Sequence, residues 1–185
     1  MKEIVMVTGN IGKYRIAKDI FEEYNIKLIQ EKLETPEIQD YNVEEVSKYS
    51  ALYAAKELNK DIIKSDVGYY IESLGGFPGP FVKYINGMLA SEDILKMMEG
   101  KTDRKILLKE CLTYAKPNGE IKQFVNIEKC NIALKAYGDG SSFDRIVIFE
   151  EDKYPKSMNS EDDNLSHFKK QLIIYKEMAE YILKQ

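Results

Sequence analysis

Asp66 stands in the run Ser65-Asp66-Val67-Gly68, between the apolar pair Ile62-Ile63 and the aromatic run Tyr69-Tyr70-Ile71. A carboxylate placed where a buried run ends can take a proton from water or hold a divalent cation, and turns on a rigid sheet commonly carry such groups. Residues 61–64 and 69–71 read as two short strands, with Asp66 in the turn between them. The stretch Leu74-Gly75-Gly76-Phe77-Pro78-Gly79-Pro80 holds three glycines and two prolines in seven residues. It reads as a shaped loop with no helix or ladder. Spacing alone accommodates both a catalytic or metal-binding Asp66 and a tight turn with a solvated aspartate.

A second group with chemical potential is Thr8-Gly9-Asn10-Ile11-Gly12-Lys13. A strand leading into a helix through such residues aims backbone N–H groups at an anion. A lysine in the first helical turn opposes the dipole, so its presence asks for another justification, such as phosphate. It is not a Walker A loop: only two residues separate Gly9 from Gly12-Lys13, and Tyr14 follows in place of Ser or Thr.

The elements that must position these groups are legible from periodicity. Residues 3–7 form a strand, 13–24 a helix with Ile16, Ile20 and Phe21 at helical spacing, and 26–29 a second strand. Asn42 and Glu45 have the spacing of a capping box that opens a helix to about residue 59, with Val46, Tyr49 and Tyr53 as its core face. Ser91-Glu92-Asp93 caps a short helix that ends at Gly100. Asn118-Gly119 joins strands 105–114 and 121–133 as a hairpin, and 146–149 is a further strand. A final helix over 165–183 carries Phe168, Leu172, Tyr175, Ala179 and Ile182 on one stripe. The order is α/β or α+β with a mixed sheet.

Composition bounds the partners. With 185 residues, 44% hydrophobic and 31% charged, the chain reads as one domain over 1–185 with one substantial core. A net charge of −4 and no basic stripe argue against a nucleic-acid backbone as partner, whereas a mononucleotide needs only a local basic pocket. Runs such as Leu172-Ile173-Ile174-Tyr175 are too short to span a bilayer, and Met1-Lys2-Glu3-Ile4 leads into a strand rather than a signal peptide. The expectation is a cytoplasmic protein without a membrane partner. Cys111, Cys130 and a single histidine make no Cys/His metal cluster, so both thiols read as free packing residues.

Taken together and in order, these motifs resemble the inosine triphosphate pyrophosphatase family, which hydrolyses non-standard purine nucleoside triphosphates to the monophosphate and pyrophosphate. The resemblance runs from Thr8 to His167. It implies an elongated, twisted mixed sheet with flanking helices, two lobes around a central cleft, Mg2+ as cofactor and a homodimer. Thr8, Asn10 and Lys13 match the triphosphate motif. Glu37, in Pro36-Glu37-Ile38-Gln39, matches a metal ligand. Asp66 matches the second acid of a pair and is implied as base or metal holder for the attacking water. Lys56 and Lys83 match basic positions near the substrate cleft. Phe143 and Asp144 remain from the family's Phe-Gly-aromatic-Asp-Pro, and Ser166-His167 from its Ser-His-Arg.

The departures are equally specific. Ser65 replaces the first acid, Ser141 an aromatic and Arg145 the proline; Phe168 stands in place of an arginine, and 161–168 lacks the family's lysine. Without those donors, discrimination of inosine and xanthosine from adenosine triphosphate should weaken unless Lys169 or Arg145 reads the base. Two functional readings follow. One is a magnesium-dependent pyrophosphatase, and the other a divergent nucleotide-binding or regulatory protein with weakened or lost turnover.

Overall fold

The computed structural model describes residues 2–159 and 161–185, with the backbone alone over 161–171. In chain order the elements are β1 (Lys2–Val7), α1 (Ile11–Glu23), β2 (Ile26–Glu31), α2 (Val43–Leu58), β3 (Ile62–Ile71), β4 (Phe77–Gly79), α3 (Val82–Met88), α4 (Ser91–Met97), β5 (Lys105–Ala115), β6 (Ile121–Ile132), β7 (Val147–Phe149) and α5 (Glu161–Leu183). The strands form one sheet in the order β2-β1-β3-β5-β6-β7, with β4 added on β3. The β1 strand runs parallel to β2 and β3, whereas β4 pairs antiparallel with β3 and β7 with β6. This is the mixed α/β architecture expected from the sequence.

The chain divides into two compact units. The first comprises Met1–Asp66, Glu110–Asn126 and Lys169–Gln185. One face of its sheet buries Ile4, Met6, Ile63, Leu112 and Tyr114 beneath α1 and α5, through Ala17, Ile20, Phe21, Tyr175, Met178 and Ile182. The opposite face packs Val5, Val7, Ile62 and Ala115 on Ala51, Ala54 and Ala55 of α2. Strand alternation therefore sorts β3: Ile63 and Ser65 face α1 and α5, while Ile62, Lys64 and Asp66 face α2. The second unit comprises Val67–Lys109 and Ile127–Phe168, with a core of Ile71, Ile94, Ile106, Phe143, Ile146 and Val147 among others.

Several local expectations are corrected. The β3 strand is continuous from Ile62 to Ile71, so Asp66 lies inside a strand and not in a turn. On the side toward β1 and β4, register with β1 covers Ile62 and Ile63 and register with β4 covers Tyr69 to Ile71. Asp66 occupies the interval between them. Gly68, whose presence suggested a turn, instead leaves space for the ring of Tyr70, which would lie 2.8 Å from an added Cβ. Phe77–Gly79 does make a ladder, reached through Gly75 and Gly76 at φ 64° and 88°. The α3 helix had no expectation in the sequence.

The capping box at α2 does not form. The Asn42 side chain makes no cap bond; its backbone N–H donates to Asp40 Oδ1 at 2.8 Å, while Glu44 and Glu45 in the first turn favour the helix dipole. Tyr49 and Tyr53 are exposed, and the buried face is Val43, Val46, Ser47, Ser50 and the alanines, because small side chains let α2 lie close to the sheet. The Phe168 part of the α5 stripe lies outside the described side chains.

Cys111 and Cys130 are both free and buried. Burial pushes the Cys111 thiol up to about 11 and the Cys130 thiol up to about 12. An alkylating reagent at pH 8 is therefore expected to leave both unmodified in the native protein and to label both in denaturant, as read by intact mass. Rapid native labelling would contradict that burial. Among the described residues, no helix is long and apolar enough to cross a membrane.

Candidate active site

The connection from β1 to α1 is built from the side chains of the first motif. Thr8 N–H donates to the Glu31 carbonyl, Thr8 Oγ1 accepts from Asn10 N–H, and Asn10 Oδ1 accepts from Lys13 N–H, each at 3.1 Å. Asn10 is thus the N-cap of α1. A Cβ at Gly12 would lie 3.2 Å from that capping oxygen, so glycine keeps the cap open. Thr8 and Asn10 shape the helix start. The Lys13 side chain reaches β3 and donates from Nζ to Ser65 Oγ at 3.1 Å.

Ser65 hands the contact on. Its hydroxyl donates to Glu110 Oε1 at 2.6 Å, and the Tyr175 hydroxyl donates to the same oxygen at 2.9 Å. Burial first, then the Glu110 charge, raises the Tyr175 phenol well above its ordinary value, so it stays protonated as a donor. Glu110 has no expectation in the sequence, and Tyr175 reads there only as part of the apolar stripe of the final helix. A signal was present: alternate residues Ile106, Leu108, Glu110, Leu112 and Tyr114 place one acid on an otherwise apolar strand face.

On the α2 face, Lys64 Nζ lies 3.0 Å from Asp66 Oδ1, with the two side chains only 11% and 17% exposed. Asp66 Oδ2 is buried and has no hydrogen-bond partner among the described residues. An unsatisfied buried carboxylate oxygen is a natural position for a water or a cation. Nearby, Ser47 Oγ and Thr113 Oγ1 are 2.8 Å apart, and Gln123 Nε2 donates to Thr113 Oγ1 at 2.9 Å and to the Glu44 carbonyl at 2.8 Å. The charges of Glu44 and Asp66 add to the burial that raises the Cys111 thiol.

The remaining expected residues have distinct positions. Glu37 is exposed in the segment between β2 and α2. Lys56 is exposed in the last turn of α2, nine residues beyond Ser47, which is about 13 Å along the helix axis. Among the described residues, no three Asp, Glu, His or Cys side chains gather around a common point for an ion.

In the second unit, Phe143 is 1% exposed, and its ring stacks on Tyr69 at 5.1 Å and 16°. The surface expected to stack a base is therefore already covered by a protein ring. Asp144 accepts from Ser141 Oγ at 2.7 Å and pairs with Lys156 at 3.4 Å. Lys83 is exposed over the Tyr84 ring at 5.8 Å. The Arg145 guanidinium donates to the Gly138 carbonyl at 3.0 Å and to Glu92 Oε1 at 3.1 Å. Those bonds engage two of the five N–H donors considered for base reading. The side chains of Ser166, His167 and Lys169 lie outside the described residues.

Comparisons with known proteins give the lineage. Residues 4–173 match the Ham1 family. A dITP/XTP pyrophosphatase of Methanosarcina acetivorans is 34% identical over 168 residues, covering 90% of this chain and 91% of that one. A dITP/XTP pyrophosphatase of Methanopyrus kandleri is 37% identical over 149 residues, covering 80% and 79%. In fold, the chain is similar to a HAM1 protein from Coxiella burnetii, with a TM-score of 0.78 at 20% identity over 99% of this chain and 96% of that one. By family match and by identity across most of its length, this chain belongs to the Ham1 family.

Proposed function

We propose that the chain, as one domain over 1–185, is a nucleoside triphosphate pyrophosphatase that converts dITP, ITP or XTP to the monophosphate and pyrophosphate. The observation that carries this reading is Asp66 Oδ2, a buried carboxylate oxygen with no donor among the described residues, on the strand whose Ser65 receives Lys13 on its other face. Names of relatives at 34% and 37% identity supply the substrate class.

The N-terminus of α1 offers its first backbone N–H groups and Lys13 to the triphosphate. Lys13 spends one N–H on Ser65, which leaves two donors for non-bridging oxygens. Asp66 orients a water against the α-phosphorus and takes its proton. The water oxygen bonds to that phosphorus, the bond from it to the bridging oxygen of the β-phosphate breaks, and pyrophosphate leaves with the bond's electron pair. The donor chemistry of Asp66 and Glu37, hard carboxylate oxygens, fits Mg2+. When bound, Mg2+ would neutralise charge developing on the phosphate oxygens. Resemblance alone supports a homodimer.

The experiment is pyrophosphate release from a panel of dITP, ITP, XTP, GTP and ATP with Mg2+. Release from the inosine and xanthosine nucleotides is expected. No release from any member would overturn the reading. Arg145→Ala is expected to leave the ITP-to-ATP ratio of kcat/KM within about twofold, because its donors serve Gly138 and Glu92. A collapse of that ratio would show that Arg145 reads the base.

A further inference from the structure

Glu110 is 3% exposed on a strand face whose other members are apolar. A buried carboxylate persists only with donors and a compensating charge. Its donors are Ser65 and Tyr175, and the cation linked to it is Lys13, one hydroxyl away. We propose that Glu110 is a positioning residue for Lys13: acting through Ser65, it holds the ammonium beside β3 before substrate arrives, and it supplies from β5 the carboxylate that position 65 lacks. This rests on the phosphate role given to Lys13 above.

The chemistry of a hydroxyl sets the geometry. Serine has one hydrogen and two acceptor lone pairs. Giving that hydrogen to Glu110 Oε1 at 2.6 Å turns the lone pairs toward the lysine, which donates at 3.1 Å. Tyr175 fixes the same carboxylate oxygen from α5. A long, flexible lysine stem is thereby ordered in advance, and ordering that precedes binding no longer opposes it. The two effects of removing Glu110 have opposite signs. Loss of a negative charge alone would favour an anion, whereas loss of positioning disfavours it, so the direction of change is diagnostic.

The test is calorimetric titration of the full chain with inorganic triphosphate, which carries no base and needs no turnover. Glu110→Leu, which removes the acceptor, and Ser65→Ala are each expected to weaken binding about fivefold to tenfold, and in a Lys13→Ala background to add less than about twofold. A merely structural role would lower the melting temperature but leave the effects additive. Moving the carboxylate to β3, with Ser65→Asp in a Glu110→Ser chain, is expected to restore affinity to within about twofold of wild type. Unchanged or tighter binding in Glu110→Leu, an undiminished effect in the Lys13→Ala background, or failure of the relocated carboxylate to restore affinity would each overturn the proposal. If Glu110→Leu does not fold, Ser65→Ala with Lys13→Ala tests the hydroxyl through which Glu110 acts and leaves the buried acid in place. Coupled binding without cleavage of any nucleotide would defeat the pyrophosphatase reading and leave this inference standing; cleavage with additive effects would do the reverse.

Discussion

Asp66→Asn is expected to lower kcat for pyrophosphate release by about 10³-fold while leaving the fold in place. An asparagine keeps an oxygen for Lys64, which approaches Oδ1 at 3.0 Å, and changes only the charge and the buried Oδ2. Removing the charge takes away the proton acceptor and a hard cation ligand together. The melting temperature should move by no more than about 4 °C, the equivalent of roughly 1 kcal/mol for a domain of this size. A variant with wild-type turnover would remove Asp66 from the chemistry. A variant that fails to fold would place its role in the Lys64 pair instead.

Phe143→Ala should produce the largest loss of stability. The ring is buried against Tyr69 among the second unit's core residues, and truncating a buried phenylalanine costs about 3–5 kcal/mol. That corresponds to a fall in melting temperature of about 6–20 °C. Phe143→Leu, which refills much of the cavity, should recover more than half of the loss. Differential scanning calorimetry distinguishes this from a base-stacking role. An alanine variant that melts like wild type but shows a raised KM for nucleotide would return Phe143 to the substrate.

The contrast between these residues shows how far the sequence could be read. Most helices and strands follow from hydrophobic period and punctuation, as in the Asn118-Gly119 hairpin and the strand into α1. Asp66 stood out in the sequence as a candidate carboxylate, yet its local structure was not legible there. Ser, Asp and Gly favour turns in isolation, and only pairing with neighbours keeps β3 extended through them. Tyr49 and Tyr53 have the period of a core face, but the alanines beside them pack closer to the sheet and push the rings outward. The Lys64–Asp66 pair is two residues apart on one strand and could have been read from alternation. The contact of Ser65 with Glu110 could not: it spans 45 residues and depends on which strand lies beside β3. Ser65 therefore looked like a lost acid in the sequence, and in the fold it is a hydroxyl bonded to one.

The most direct test follows the oxygen of the attacking water. Hydrolysis of XTP by the wild-type chain in water enriched in oxygen-18, with the products resolved by mass spectrometry, reports which phosphorus is attacked. Attack at the α-phosphate places one labelled oxygen in xanthosine monophosphate and none in pyrophosphate. Label in pyrophosphate, or orthophosphate as the first product, would contradict the reaction assigned to Asp66 and Lys13.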